Sequence, residues 1–407
     1  MGFWTLFEVA SMPILQVLII SLLGAFMATD YCKLLPVDIR RSLNRIVFVV
    51  FTPSLMFASL AKTVTLQDII SWWFMPVNIG LTFLVGIILG WIVVKILKPK
   101  PYLEGLIIAT CSSGNLGNLL LIVVPAICNE DGSPFGDTNV CTRIGLSYAS
   151  FSMALGGFYI WTITFHMIRA SSLKLRDDEA AEDFSSKQPN ENLDATPQSQ
   201  LLKGESEEQV AIVVKAPQDT SPKAKGNAPL WRQVVGFLHQ ILEELMAPPT
   251  LGAIFGFTFG AIDWLRNLVI GAGAPLRVVQ DSIKLLGDAT IPCITLILGA
   301  NLTQGLRSST IKPMVIVGVV CVRYIILPVV GIFVVKAAGD LGFLPPDPLF
   351  RYVLMVQFTL PPAMNIGTMA QLFDVGQDEC SVLFLWTYLA AALALTSWST
   401  VFMWILT

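Results

Sequence analysis

At 407 residues the chain is 54% hydrophobic and only 14% charged, far below the roughly 25% charged residues of soluble proteins, which excludes an ordinary soluble domain and leaves an integral membrane protein. The formal net charge of -3 sits mostly in one segment, and the basic residues are scattered without a basic-aromatic array, which excludes nucleic acid as a partner. The seven cysteines have no zinc-like spacing, and no Ser-His-Asp, HExxH or phosphate-cradling glycine motif occurs, so neither metal, cofactor nor enzymatic chemistry is expected.

Charge-free runs predict ten membrane spans. The first covers about Val9 to Thr29 and, lacking a basic leader, reads as a membrane helix rather than a signal peptide. The second runs from Ile46 to Ala61, the third from Ile69 to Val94, the fourth from Leu106 to Ile127 and the fifth from Ile144 to Ile168. Residues 1–168 thus form a first five-helix unit. Residues 169–228 are rich in Asp, Glu, Lys, Ser, Gln and Pro and poor in aromatics, a composition expected to stay disordered. In 229–246, Trp231, Val234, Val235, Leu238, Ile241, Leu242 and Leu245 recur at helical spacing, predicting an amphipathic helix on the membrane surface. Residues 247–407 hold five more spans: Pro249 to Ile262, Ala289 to Gln304, Pro313 to Val335, Tyr352 to Phe373 and Cys380 to Leu406.

The basic residues of the short loops collect on one side (Lys33, Arg40, Arg41, Arg45, Lys95, Lys98, Lys100, Arg307, Lys312), which predicts a cytosolic linker and both termini on the opposite, lumenal or extracellular side. The loop bearing Arg266, Arg277 and Lys284 runs against this bias. Cys128 and Cys141 bracket one loop on the far side; a disulfide there and two free thiols both remain open.

Five spans, a cytosolic link and five more spans insert the second half inverted relative to the first. In each half the fourth span is interrupted. Cys111-Ser112-Ser113-Gly114-Asn115-Leu116-Gly117-Asn118 breaks the fourth span, and Gln357-Phe358-Thr359-Leu360-Pro361-Pro362-Ala363-Met364-Asn365 breaks the ninth. Helix breakers at bilayer depth are tolerated where protein or a wet cavity covers the freed backbone, and matched broken spans mark a transporter's binding site. The fold expected is therefore all-α and membrane-integral, with ten helices in two inverted repeats whose fourth and ninth helices cross. Half-helix N-termini at such a crossing favour an anion, and Asn115, Asn118 and Asn365 add neutral donors that orient a carboxylate without burying a protein charge. Interhelical hydrogen bonding is the alternative role for these amides. Arg323, midway along the eighth span, needs a partner, either Asp288, backbone carbonyls or the substrate; Asp263 and Asp288 sit at span ends, where capping or exposure competes with coupling.

These stretches resemble the plant auxin efflux carrier superfamily, specifically its PIN-LIKES branch. Leu116-Gly117-Asn118-Leu119 through Pro125, Gly287-Asp288-Ala289, Val322-Arg323-Tyr324 with Pro328, and Leu360-Pro361-Pro362-Ala363 are similar to that family's motifs, in order, across both hydrophobic halves. The resemblance implies that Asn118 contacts an auxin carboxylate, with Asn115, Gly117, Pro361, Pro362 and Asn365 around it. Asp288 and Arg323 stand as structural or coupling candidates. It further implies a scaffold of spans one, two, six and seven, and a transport domain that moves like an elevator. The cargo implied is indole-3-acetic acid or a related aromatic carboxylate, and the location the endoplasmic reticulum membrane, where the protein regulates auxin availability. Where the carriers have Asn-Pro-Asn-Thr, this chain has Ala247-Pro248-Pro249-Thr250, so one carboxylate-binding amide is absent. Membrane lipid is the other partner, and a homodimer stays open beside a monomer. Rival functions are a sodium-coupled organic-anion symporter of the bile-acid type, and a receptor or sensor that does not translocate its ligand.

Overall fold

Long apolar runs free of paired prolines fold as continuous helices in the computed structural model, which describes residues 15–186 and 248–406 apart from 17, 64, 130–132, 272 and 309. Among the described residues, six helices are long and apolar enough to cross a membrane: α2 (Val37–Lys62), α3 (Phe74–Leu97), α6 (spanning Thr138–Arg176), α8 (Arg277–Asn301), α9 (Pro313–Asp340) and α12 (Gln377–Leu406). Shorter apolar helices complete the set. These are α1 (Leu18–Met27), α4 (Glu104–Ser112), α5 (Asn118–Cys128), α7 (Pro248–Ala261), α10 (Pro348–Val356) and α11 (Asn365–Leu372). The described residues form no strand, only one isolated bridge between two loops. The architecture is all-helical and membrane-integral, as composition required.

Helix contacts concentrate in two regions, which α8 joins by packing along α12. In the first, α7 lies on α2 so closely that a methyl group at Gly256 would meet the Phe57 backbone at 3.0 Å; Phe57 and Phe259 stack edge-on at 5.3 Å. There α8 joins α2 through Gln280 Nε2, which donates to the Ala58 carbonyl (3.0 Å), and through Arg40 Nη1, which donates to Asn301 Oδ1 (2.6 Å). The Ser21 hydroxyl of α1 faces the Thr295 carbonyl of α8 at 3.5 Å. In the second group, Tyr324 of α9 donates to the Thr387 carbonyl of α12 (2.7 Å), and Tyr352 of α10 bonds Ser399 of α12 (3.0 Å). The largest wholly buried side chains, among them Tyr352, Phe358, Phe384 and Tyr388, place much of the core in this second group. Outward faces carry bare apolar side chains such as Trp91, Phe333 and Trp404, as lipid demands.

Two elements depart from the sequence reading. The segment from Arg169, expected to be disordered, continues α6 as helix to Ser186. Tertiary contacts override its polar composition: Ser171 Oγ accepts from the Gly105 amide (3.1 Å), Ser172 is buried, and Lys174 pairs with Glu104 (2.8 Å). Residues 187–247, including the rest of the linker and the expected amphipathic helix, lie outside the described residues. The seventh span likewise begins a dozen residues early, since Arg277–Asp288 is helical and meets Thr290–Ser308 at a single turn residue, Ala289. Its charges tolerate this because they face outward in i,i+4 pairs, Arg277 with Asp281 and Lys284 with Asp288. Cys128 and Cys141, left open above, are joined by a disulfide.

Candidate functional site

The two breaks meet. After Ser112 the chain turns extended at Ser113, and helix resumes at Asn118; in the second break, Pro361 and Pro362 cannot supply the amides that would continue α10. Gly114 and Pro362 form an antiparallel bridge, closed by Asn115 N–H to the Pro361 carbonyl (2.8 Å) and Ala363 N–H to the Ser113 carbonyl (2.9 Å). These bonds flank the Gly114–Pro362 pair, so the missing proline amide costs nothing. Freed backbone groups of each broken helix are thereby satisfied by the other.

The exposed ends of the half-helices are treated asymmetrically. The last turn of α4 leaves the Cys111 carbonyl free, and Arg323 Nη1 donates to it (3.2 Å). The last turn of α10 leaves the Leu354 carbonyl, and Asn78 Nδ2 of α3 donates to it (3.1 Å). Each C-terminal end is thus capped by a side chain from the other half of the chain. The N-terminal ends receive no such cap: Gly117 before α5 and Met364 before α11 offer no side-chain hydrogen bond. Both residues line a small cleft. Its other wall comes from α2 (Thr52, Leu55, Met56) and α8 (Thr290, Ile294). The cleft therefore lies between the broken helices and α6 on one side and α2 and α8 on the other, with two positive dipole ends open to it.

Of the residues named from sequence, Asn115, Gly117 and Asn365 line this cleft. Asn115 is buried and donates to Tyr388 Oη (3.1 Å), which in turn donates to the Pro362 carbonyl (2.9 Å). Asn118 opens α5 with its backbone, and its side chain falls outside the described atoms. Pro361 and Pro362 are buried in the bridge and do not line the cleft; they shape it. Asp288 is surface-exposed with Lys284 and does not meet Arg323, which corrects the pairing considered from sequence. A helix start at Arg277 places Asp288 four residues after Lys284, and that neighbour claims it.

Arg323 is wholly buried in a π-helical turn, Val322–Ile326, with Nε and Nη2 unbonded. A methyl group at Gly114 would lie 3.0 Å from Nη2, so the guanidinium presses on the bridge from a side that does not line the cleft.

Sequence reasoning missed two elements. One is a buried polar chain: Asn78 Nδ2 donates to Gln357 Oε1 (2.7 Å), Gln357 Nε2 to Ser152 Oγ (3.0 Å), and Ser152 Oγ to the Leu116 carbonyl (3.1 Å). It ties the second break to the first through α3 and α6. A lone amide in the apolar α3 run was the available signal. The other is the pair Thr52 and Thr290 on the far wall, which nothing in the local sequence distinguishes.

A family model described as membrane transport protein matches residues 9–399. The chain is similar to two proteins of Arabidopsis thaliana, PIN-LIKES 7 (67% identical over 406 residues, all of both chains) and PIN-LIKES 5 (65% over 404 residues, 99% of each). It is also similar to an uncharacterized transporter of Saccharomyces cerevisiae, 24% identical over 403 residues, covering 93% of this chain and 91% of that one.

Proposed function

The chain belongs to the PIN-LIKES family of membrane transport proteins, and from that premise we propose that it carries indole-3-acetate, or a close aromatic carboxylate, across the endoplasmic reticulum membrane by alternating access. The observation that carries this reading is the pairing of two broken helices whose uncapped N-terminal ends open on one cleft. A carboxylate there is stabilised by fixed dipoles rather than by a protein cation, so it can be both bound and released. The apolar walls, Met56, Ile160 and Ile294 among them, suit an aromatic ring.

Ten spans in two inverted repeats account for contacts between loops. Arg41 pairs with Asp374 (3.3 Å) and Lys174 with Glu104 (2.8 Å), all in segments assigned to the cytosolic side. Tyr148 donates to Asp347 (2.6 Å) and Arg266 to the Lys62 carbonyl (3.1 Å), in segments assigned to the lumenal side. Among the described residues, none of these loop contacts joins opposite sides. The Cys128–Cys141 disulfide suits an oxidising lumen. In this scheme α1, α2, α7 and α8 stand still as scaffold, and the second group carries the crossover past them. The endoplasmic reticulum and the auxin cargo rest on the family resemblance.

The test is uptake of labelled indole-3-acetate by proteoliposomes holding the purified full chain. Concentrative or exchange flux is expected, independent of sodium, and lost in Asn118→Ala while the variant unfolds like the parent. Saturable binding without flux would favour a receptor, and an absolute need for sodium would favour the symporter. Unchanged flux in the variant removes Asn118 from the site.

A further inference from the structure

Threonine hydroxyls buried in helices normally bond the carbonyl four residues back. Here the buried Thr82, Thr110, Thr295, Thr387 and Thr396 all do so, at 2.7 to 2.9 Å. Thr52 and Thr290 do not. Each is at least 97% buried (1% and 3% exposed), and each Oγ1 has no hydrogen-bond partner. Both side chains line the cleft. Thr250 and Thr368 share the unpartnered state but do not line it.

Local backbone explains why these two escape. Thr52 follows the π-helical turn Val47–Phe51, where its own amide reaches back five residues to the Val47 carbonyl. Thr290 opens a new helix after the turn at Ala289, so the carbonyl four residues back belongs to the preceding helix, Arg277–Asp288. Two separate irregularities therefore leave two unpaired, buried hydroxyls on residues that line one cleft, on the wall away from the helix ends. Single π-turns of this kind recur at functional sites, and a buried hydroxyl left unpaired is a cost unless a ligand relieves it.

Resting on the carrier reading above, we infer that Thr52 and Thr290 recognise a second polar group of the cargo, so that the site selects carboxylates carrying a hydrogen-bond donor on the ring, as the indole N–H does. The carboxylate lies at the ends of α5 and α11, and the ring spans the cleft to the hydroxyls of α2 and α8. A hydroxyl can accept from a ring N–H and still donate elsewhere.

The experiment compares indole-3-acetate with 1-benzothiophene-3-acetate, in which sulfur replaces the ring N–H, by binding to the purified full chain. The parent protein is expected to bind the indole about tenfold more tightly, about 1.4 kcal/mol. In the double variant Thr52→Val, Thr290→Val the preference disappears while affinity for the benzothiophene stays within about twofold, and the corresponding Ser variants keep it. If the double variant binds neither compound, the single Val variants carry the reading: a smaller ratio supports it, an unaltered ratio overturns it. A parent protein that binds both equally overturns the inference and leaves the carrier standing. Binding of neither compound ends both.

Discussion

Gln357→Leu isolates what the buried polar chain contributes. Leucine is close in volume to glutamine, so the substitution removes two interhelical hydrogen bonds, from Asn78 (2.7 Å) and to Ser152 (3.0 Å), without opening a large cavity. Interhelical bonds in membrane proteins average about 0.6 kcal/mol and reach about 1.7, so the expected loss of unfolding free energy is about 1–3 kcal/mol. Asn78 keeps the Leu354 carbonyl, which bounds the damage on that side. Ser152 keeps the Leu116 carbonyl but loses the donor that fixes its hydroxyl, and Leu116 lies between two residues of the cleft, Asn115 and Gly117. Affinity for the carboxylate is therefore expected to fall along with stability. Unfolding in mixed micelles measures the first, ligand titration the second. A double-mutant cycle with Ser152→Ala should give a coupling of about 0.6–1.7 kcal/mol. Additivity within about 0.3 kcal/mol, together with unchanged affinity, refutes the idea that this chain holds the two breaks in register.

Two further outcomes follow from the same geometry. Arg323→Met removes a charge-assisted bond to Cys111 worth about 1.5–3 kcal/mol but also relieves a buried cation two of whose nitrogens are unbonded. Unfolding free energy should stay level or rise while indole-3-acetate uptake falls, and a loss above about 3 kcal/mol shows instead that the cation is structurally compensated. Peptide mass spectrometry without reduction should recover Cys128 and Cys141 in one cross-linked species; separately alkylated thiols contradict the disulfide.

The broken helices were legible because their cause is local. Pro361 and Pro362 lack amides, and Gly114 and Gly117 sit beside serine and asparagine in an apolar run, so each interruption could be read from a few neighbouring residues. That the two interruptions would cross was expected from their places in the sequence; the backbone bridge between Gly114 and Pro362 was not. Composition misled just after Arg169, because Ser171 and Ser172 are buried, Ser171 against Gly105 of a distant segment. Asp288 misled for a related reason: its nearest partner depends on where the helix begins, and charges at Arg277 and Lys284 disguised that start as a loop. The threonine pair was beyond reach. Whether a helical hydroxyl is free depends on π-turns and kinks that reflect packing, and five other buried threonines of identical chemistry are satisfied.

The treatment of helix ends shows how one crossing can be both stable and receptive. Four half-helix ends converge there, two bearing surplus carbonyls and two bearing surplus amides. Capping all four would give a satisfied but inert joint. Capping none would leave several orphaned groups at a depth where water is scarce. This chain caps the carbonyl ends, using Arg323 and Asn78 drawn crosswise from the opposite halves, and leaves the amide ends facing the cleft. The sign of the unfilled capacity then dictates the ligand: two ends worth about half a positive charge each favour an anion and disfavour a cation in the same place. Because Arg323, the cation at the crossing, lies off the cleft, an anion bound there would meet dipoles, and its departure would leave no newly unpaired ion in the bilayer.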